Sequence, residues 1–187
     1  MSQNAHNIRR GERSCLVGRL ALPRVDGDWR FLICKLSLKK RERVVLIGCP
    51  DRQIVRQLLE CVGSDGRVSL LFDPSQYPIS MVEPLQHLAR SMPQLILSKP
   101  GPTTASQLVD VVIIMPEGGS SPYSSLLEQA WRRLLVKGRL LLILPKGEAY
   151  IDPLHKLIEE SYQCGFVSRY RRCCDKRNVW IGVKHMR

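Results

Sequence analysis

The run RVVLIGCPDRQIVRQLLECVGSDGRVSLLFDPS, residues 43–75, has the outline of a nucleotide-cofactor site. A short apolar stretch ends at Gly48, a helical stretch follows, and a second apolar stretch ends at Asp73. A cofactor loop between strand and helix needs glycines, because backbone must approach the ligand and often takes positive φ. The helix N-terminus then adds a partial positive charge. Here only Gly48 has that residue type; Cys49 adds bulk, Pro50 removes an N–H, and Asp51 and Arg52 bring charge where small residues are expected. A second run with chemistry in it, RYRRCCDKR, interleaves Tyr170 with Arg169, Arg171, Arg172, Lys176 and Arg177. That mix pairs with phosphates and stacks on bases. Alternation along a strand predicts Arg169 and Arg171 on one face and Tyr170 and Arg172 on the other. Lys39, Lys40 and Arg41 make a third cationic group.

The elements that must hold these residues are legible from their periods. Cys15–Leu22 and Trp29–Leu38, separated by PRVDGD, are expected to form a β-hairpin, since Pro, Asp and Gly supply turn chemistry. VVLIG (44–48) reads as a buried strand. Ile54, Val55, Leu58, Leu59 and Val62 share one helical face, which GSDG ends, and VSLLF (68–72) is a second strand. Met81, Leu85 and Leu88 give a helix, LILS a short strand, and VDVVIIM (109–115) a long one. Tyr123, Leu126, Leu127, Ala130, Trp131, Leu134 and Leu135 predict a helix closed by Gly138, before the strand RLLLILP (139–145). Asp152 as N-cap and Pro153 as first helical residue open a last helix that stops at Gly165, and FVSRYRR and VWIGVKH form a terminal strand pair. Strands alternating with helices predict an α/β fold, a mostly parallel sheet with helices on both faces, its last two strands antiparallel.

Composition bounds the function. The 187 residues are 44% hydrophobic, enough for one core, and no apolar run reaches the roughly 18 residues of a membrane span. MSQNAHNIRRGERS, rich in Arg and Ser with Glu12 its one acid, is compatible with an organellar targeting peptide. Seven cysteines without C-x2-C spacing, and four scattered histidines, suit neither a zinc site nor a disulfide framework. Reduced thiols in a reducing intracellular compartment are expected; nucleus or nucleolus, cytoplasm and mitochondrion all remain open. The net charge of +12 is concentrated at the ends: residues 1–43 hold 11 Lys and Arg against 4 acids, 44–164 hold 11 against 12, and 165–187 hold 7 against 1. Basic flanks on a near-neutral body are what polyanion binding requires, because each phosphate contact needs a cation beside it.

The order of elements over residues 43–185, closing with a strand pair after the last helix, resembles the class I S-adenosylmethionine-dependent methyltransferase fold. VVLIGCPDRQ looks like that family's first strand and glycine loop, GRVSLLFDPS like its second strand and ribose-binding acid, and VDVVIIMPEG like its fourth strand and catalytic loop. LLVKGRLLLIL is similar to its helix-to-strand joint. Within the fold, fibrillarin-like RNA 2′-O-methyltransferases look closest, through the β-rich start, Gly63-Ser64-Asp65-Gly66-Arg67-Val68, and Lys146 after the fifth strand. The resemblance implies S-adenosylmethionine as cofactor, with Gly48 and Asp51 at its methionine end and Asp73 on its ribose. The plain alternative for Asp73-Pro74-Ser75 is a turn that starts a helix. It also implies Lys146 as the base that takes a ribose hydroxyl proton, oriented by Glu117, the acid of MPEGGSSPYSS.

Two domains of unequal weight follow: a basic segment with a hairpin (1–42) and a methyltransferase-like α/β domain (43–187). Because the framework is intact and the cofactor loop is not, the leading expectation is a non-catalytic RNA-binding or ribonucleoprotein-assembly protein with no cofactor. An active RNA 2′-O-methyltransferase and a pseudoenzyme scaffold for a protein partner are the alternatives.

Overall fold

Trp29, Leu32, Ile33 and Leu36 recur at i, i+3, i+4 and i+7, and in the computed structural model they form the buried face of helix α1 (Gly27–Leu36). The structure describes residues 27–100, 107–115, 123–145, 151–173 and 177–185. The second run of the expected hairpin is therefore a helix, and its first run, 15–22, lies outside the described residues. PRVDGD carries turn signals that fit a hairpin as well as a helix start. The 3.6-residue period of the following apolar side chains, which lets all four reach one core, decides for the helix.

Seven strands form one sheet: β1 (Arg43–Ile47), β2 (Arg67–Leu71), β3 (Leu95–Ser98), β4 (Val109–Ile114), β5 (Leu134–Pro145), β6 (Phe166–Cys173) and β7 (Arg177–Lys184). Their order is β3-β2-β1-β4-β5-β7-β6; β3 through β5 are mutually parallel, and β7 is antiparallel to both its neighbours. Helices α2 (Arg52–Val62) and α3 (Ile79–Ser91) join α1 on one face, around a core that includes Val44, Leu46, Leu70 and Ile113. Helices α4 (Tyr123–Arg133) and α5 (Ile151–Cys164) cover the other face over Val112, Leu140, Leu142 and Trp180. The alternation of sheet residues between these two cores is the period of two expected of strands buried on both sides. The fold class read from the sequence is thus the fold observed.

Three boundaries differ from expectation. The fourth helix ends at Arg133, not at Gly138; β5 begins at Leu134 and carries an irregularity that takes the pairing from Val109↔Leu134 to Val111↔Arg139. Gly138 sits in that irregularity because a Cβ there would fall 2.7 Å from the Leu135 carbonyl oxygen. In α3 the buried residues are Val82, Leu85 and Leu88, and Met81 faces solvent. Helix α5 starts at Ile151, one residue ahead of the expected cap.

Candidate functional site

The carboxyl edge of the parallel strands is where α/β sheets place ligands. Here β1 runs into Gly48, whose φ of 122° only glycine adopts without strain. Its amide donates to the Leu71 carbonyl at 3.0 Å, while the Met115 amide beyond β4 donates to the Ile47 carbonyl at 3.0 Å. A Cβ on Gly48 would lie 2.5 Å from the Met115 carbonyl oxygen. The close approach of β4 therefore accounts for this glycine without a ligand. Cys49 and Pro50 are buried. Asp51 caps α2, its Oδ1 accepting from the Gln53 amide at 2.7 Å, and so fills the helix N-terminus that a cofactor's anionic end would use. Arg52, the first residue of α2, is exposed.

Asp73 follows β2 and accepts from the Ser75 amide through Oδ1 at 3.1 Å, which starts the 3-10 turn Pro74–Gln76. Lys99, after β3, reaches the same oxygen at 3.6 Å. The Ser75 backbone N–H, then its hydroxyl, holds the Asp73 carboxyl below the ordinary carboxylate value, and Lys99 adds to this. The turn that Asp73-Pro74-Ser75 signals is thus present, and Asp73 stands just after the end of β2. Glu117 and Lys146 lie outside the described residues. What the sheet fixes is that β4 and β5 run parallel, Ile114 beside Leu142, so the segments after them leave from the same edge.

The basic residues fall in two separate places. On edge strand β6, Tyr170 packs against Phe31 of α1, with ring centroids 5.9 Å apart. Lys35 Nζ lies 5.2 Å from the Phe31 ring and 5.5 Å from the Tyr170 ring, and the Arg172 guanidinium 4.9 Å from Phe31. Tyr170 and Arg172 thus share the α1 face as alternation predicts. Arg171 faces the other way, its Nη2 2.6 Å from His155 Nε2 of α5. The pairing slips between Ser168 and Tyr170, so Arg169 is the bulged residue, and it is exposed. Arg177 opens β7, and Lys176 lies outside the described residues. Lys39, Lys40 and Arg41 are not part of this cluster. They follow α1 at the opposite, amino edge of the sheet, where Arg41 pairs with Asp65 at 3.1 Å.

Two cations that the sequence did not single out hold the frame. Arg139 on β5 is buried; it donates to the Leu36 and Ser37 carbonyls at 2.5 and 2.6 Å and pairs with Glu42 at 2.6 Å, tying the end of α1 to the sheet. Lys184 donates to the Trp131 and Leu134 carbonyls at the end of α4, at 2.6 and 2.7 Å. Neither has a sequence signal, because a partner about 50 or 100 residues away leaves no local pattern. Among the described residues no group of three or more His, Cys, Asp or Glu is placed to hold a metal ion.

No family model matches the sequence, and no curated protein does. Solved structures match with confidence. The fibrillarin pre-rRNA processing protein of Methanococcus jannaschii is 12% identical with a TM-score of 0.59, over 80% of this chain and 69% of that one. Fibrillarin of Aeropyrum pernix, solved with natively bound S-adenosyl-L-methionine, is 12% identical with a TM-score of 0.61, over 78% and 67%. TrmN from Thermus thermophilus is 16% identical with a TM-score of 0.66, over 83% of this chain, which spans about half (48%) of that protein. At these identities the likeness establishes the S-adenosylmethionine-dependent methyltransferase fold. Against that cofactor, Asp73 supplies a carboxylate just after the end of β2. The described residues do not fit at the loop, where Pro50 lacks an N–H, Gly48 is held against β4 and Asp51 occupies the helix N-terminus.

Proposed function

We propose that this methyltransferase-fold chain binds RNA, or serves in a ribonucleoprotein assembly, without transferring a methyl group itself. The observation that carries the reading is the cluster Lys35–Phe31–Tyr170–Arg172, in which cations from distant parts of the sequence meet over two packed rings. The rings hold the two cations in place, so less side-chain freedom is lost when a phosphate arrives. Arg169 extends the cationic strip along the exposed edge strand. Tyr170 acts here as a support for the cations, because its ring is packed on α1 and the core. The fibrillarin likeness supports RNA as the polyanion, at the level of analogy. The exposed cysteine Cys34 and the half-buried Cys61, both free thiols, suit a reducing intracellular compartment. No helix among the described residues is long and apolar enough to cross a membrane.

Asp73 favours a second reading, an active RNA 2′-O-methyltransferase with Lys146 as base and Glu117 as its orienting partner. Calorimetric titration with S-adenosylmethionine separates the two: no heat of binding is expected, and micromolar affinity revives the second reading. For RNA, affinity is expected to fall with salt at a log–log slope of about −0.7 per single-strand phosphate engaged. Replacing Arg169, Arg171 and Arg172 by Ala is expected to make that slope shallower by about two units. The exposed body residues Arg56, Arg90 and Lys156 are the control set. Equal losses from both sets, or wild-type protein without salt-dependent RNA binding, leave the protein-scaffold alternative in its place.

A further inference from the structure

At the amino edge of the sheet, Arg43 opens β1 and Arg67 opens β2, paired in register as Cα partners. Register partners in neighbouring strands point to the same face about 4.8 Å apart, so the two side chains leave the sheet as neighbours. Both residues are exposed. Among the described residues neither guanidinium forms an ion pair or a hydrogen bond. The nearby acids are engaged otherwise: Asp65 by Arg41 and the Ser64 hydroxyl, and Asp110 by the Arg43 backbone N–H at 2.8 Å. Like charges placed opposite each other without a counterion weaken a sheet edge.

These two arginines line a cleft of about 540 Å³, together with Arg41, its partner Asp65, Ser64 and Gln94. That size falls within the roughly 300–1,000 Å³ of small-ligand sites. A smaller cavity of about 200 Å³ shares Arg43, Arg67 and Gln107 with it and runs over the sheet face at Val45, Leu71 and Ile96. A polar, cationic mouth thus opens onto a mixed floor, where Val45, Leu71 and Ile96 lie beside Ser69, Ser98 and the buried Arg133.

We propose that Arg43 and Arg67 hold a phosphate group at the amino edge of the sheet, with the rest of the ligand lying against Val45, Leu71 and Ile96. A guanidinium pair suits this group because each fork presents two N–H donors to two phosphate oxygens, and together they match a dianion. The phosphate belongs either to a small phosphate ester or to a nucleic-acid strand. The proposal does not rest on the α1–β6 reading, since the two surfaces share no residue.

The test is titration of the full-length chain with inorganic pyrophosphate, followed through the backbone amide resonances of Ser64, Gly66 and Arg67. Saturable shifts are expected. In R43Q/R67Q the affinity is expected to fall at least tenfold, about the effect of losing one charge-assisted contact. Both positions are exposed strand starts, and an unchanged circular dichroism spectrum and melting temperature check the fold; R67Q alone gives the same contrast if the double variant fails that check. Replacing Arg169, Arg171 and Arg172 is expected to leave pyrophosphate binding unchanged, which separates this site from the RNA face. A single-stranded RNA pentanucleotide that displaces pyrophosphate identifies a strand phosphate as the source, and one that does not identifies a small ester. Absence of saturable binding, or equal weakening in R56Q/R90Q, overturns the proposal.

Discussion

Replacing Arg139 by Ala tests whether α1 is anchored by one buried cation. The guanidinium donates to two carbonyls at the end of α1 and pairs with Glu42, with side-chain exposures of 9% and 14% for the pair. Truncation leaves a carboxylate and two carbonyls without their partner where water is largely excluded. Breaking a buried pair from one side costs about 3–5 kcal/mol, and the three contacts belong to one side chain, so their separate values do not add. At this chain length each kcal/mol moves the melting temperature by about 2–4 °C. Arg139→Ala is therefore expected to lower it by roughly 6–20 °C in calorimetry and to shift the urea midpoint accordingly. Glu42→Gln keeps both carbonyl contacts and an acceptor for the Lys39 amide, and is expected to cost about 1–2 kcal/mol. The double variant should cost less than the sum, by at least about 1 kcal/mol. A cost below about 1 kcal/mol for Arg139→Ala, or strict additivity, refutes the anchoring argument.

Three further outcomes are expected. Gly48→Ala places a Cβ 2.5 Å from the Met115 carbonyl at φ 122°, so it should destabilise the chain by about 1–3 kcal/mol in urea titration, with no ligand present. Asp73 has its pKa lowered on folding, chiefly by the Ser75 N–H, so its contribution is present above the ordinary value of 3.8 and is lost as pH falls through the folded value. The stability gap between wild type and Asp73→Asn should accordingly narrow from about pH 5 to pH 3, and a constant gap counts against that contact. In native alkylation read by mass spectrometry, exposed Cys34 should react before Cys61, whose thiol is pushed up first by desolvation and then by Cys34 and Glu60. Buried Cys49 should react last.

The α/β class and the five parallel strands were legible because continuous apolar runs bounded by charge or glycine have few other uses. Helix α2 was legible through Ile54, Val55, Leu58, Leu59 and Val62, all buried as spaced. PRVDGD carries turn chemistry that suits a hairpin, whereas the period of Trp29, Leu32, Ile33 and Leu36 is that of a helix, and packing on one core favours the period. The end of α4 was hidden because Leu134 continues the helical spacing and yet pairs with Val109. Gly48 and Asp73 lie just past strand ends and Asp51 at the start of α2, positions that the sequence pattern shows without showing their partners. Asp and Gly are favoured by caps and tight approaches as much as by ligands, and only the distances to Gln53, Ser75 and Met115 separate these uses.

Those distances also bear on how function is distributed over the molecule. In a cofactor-using member of this fold, the strand-to-helix loop has to leave backbone donors open at the carboxyl edge. Here the same positions close contacts within the chain: Gly48 to β4, Asp51 to α2, and one oxygen of Asp73 to its turn. Such contacts hold the sheet edge together within the chain. The cations follow the reverse pattern. Arg139, Lys184 and Arg41 are engaged by carbonyls and acids, whereas Arg43 and Arg67, in register at the other edge, have no such partner among the described residues. Charge without an internal partner persists at low cost only where solvent or a ligand meets it. We accordingly place the two proposed binding surfaces at the α1–β6 face and at the amino-edge cleft.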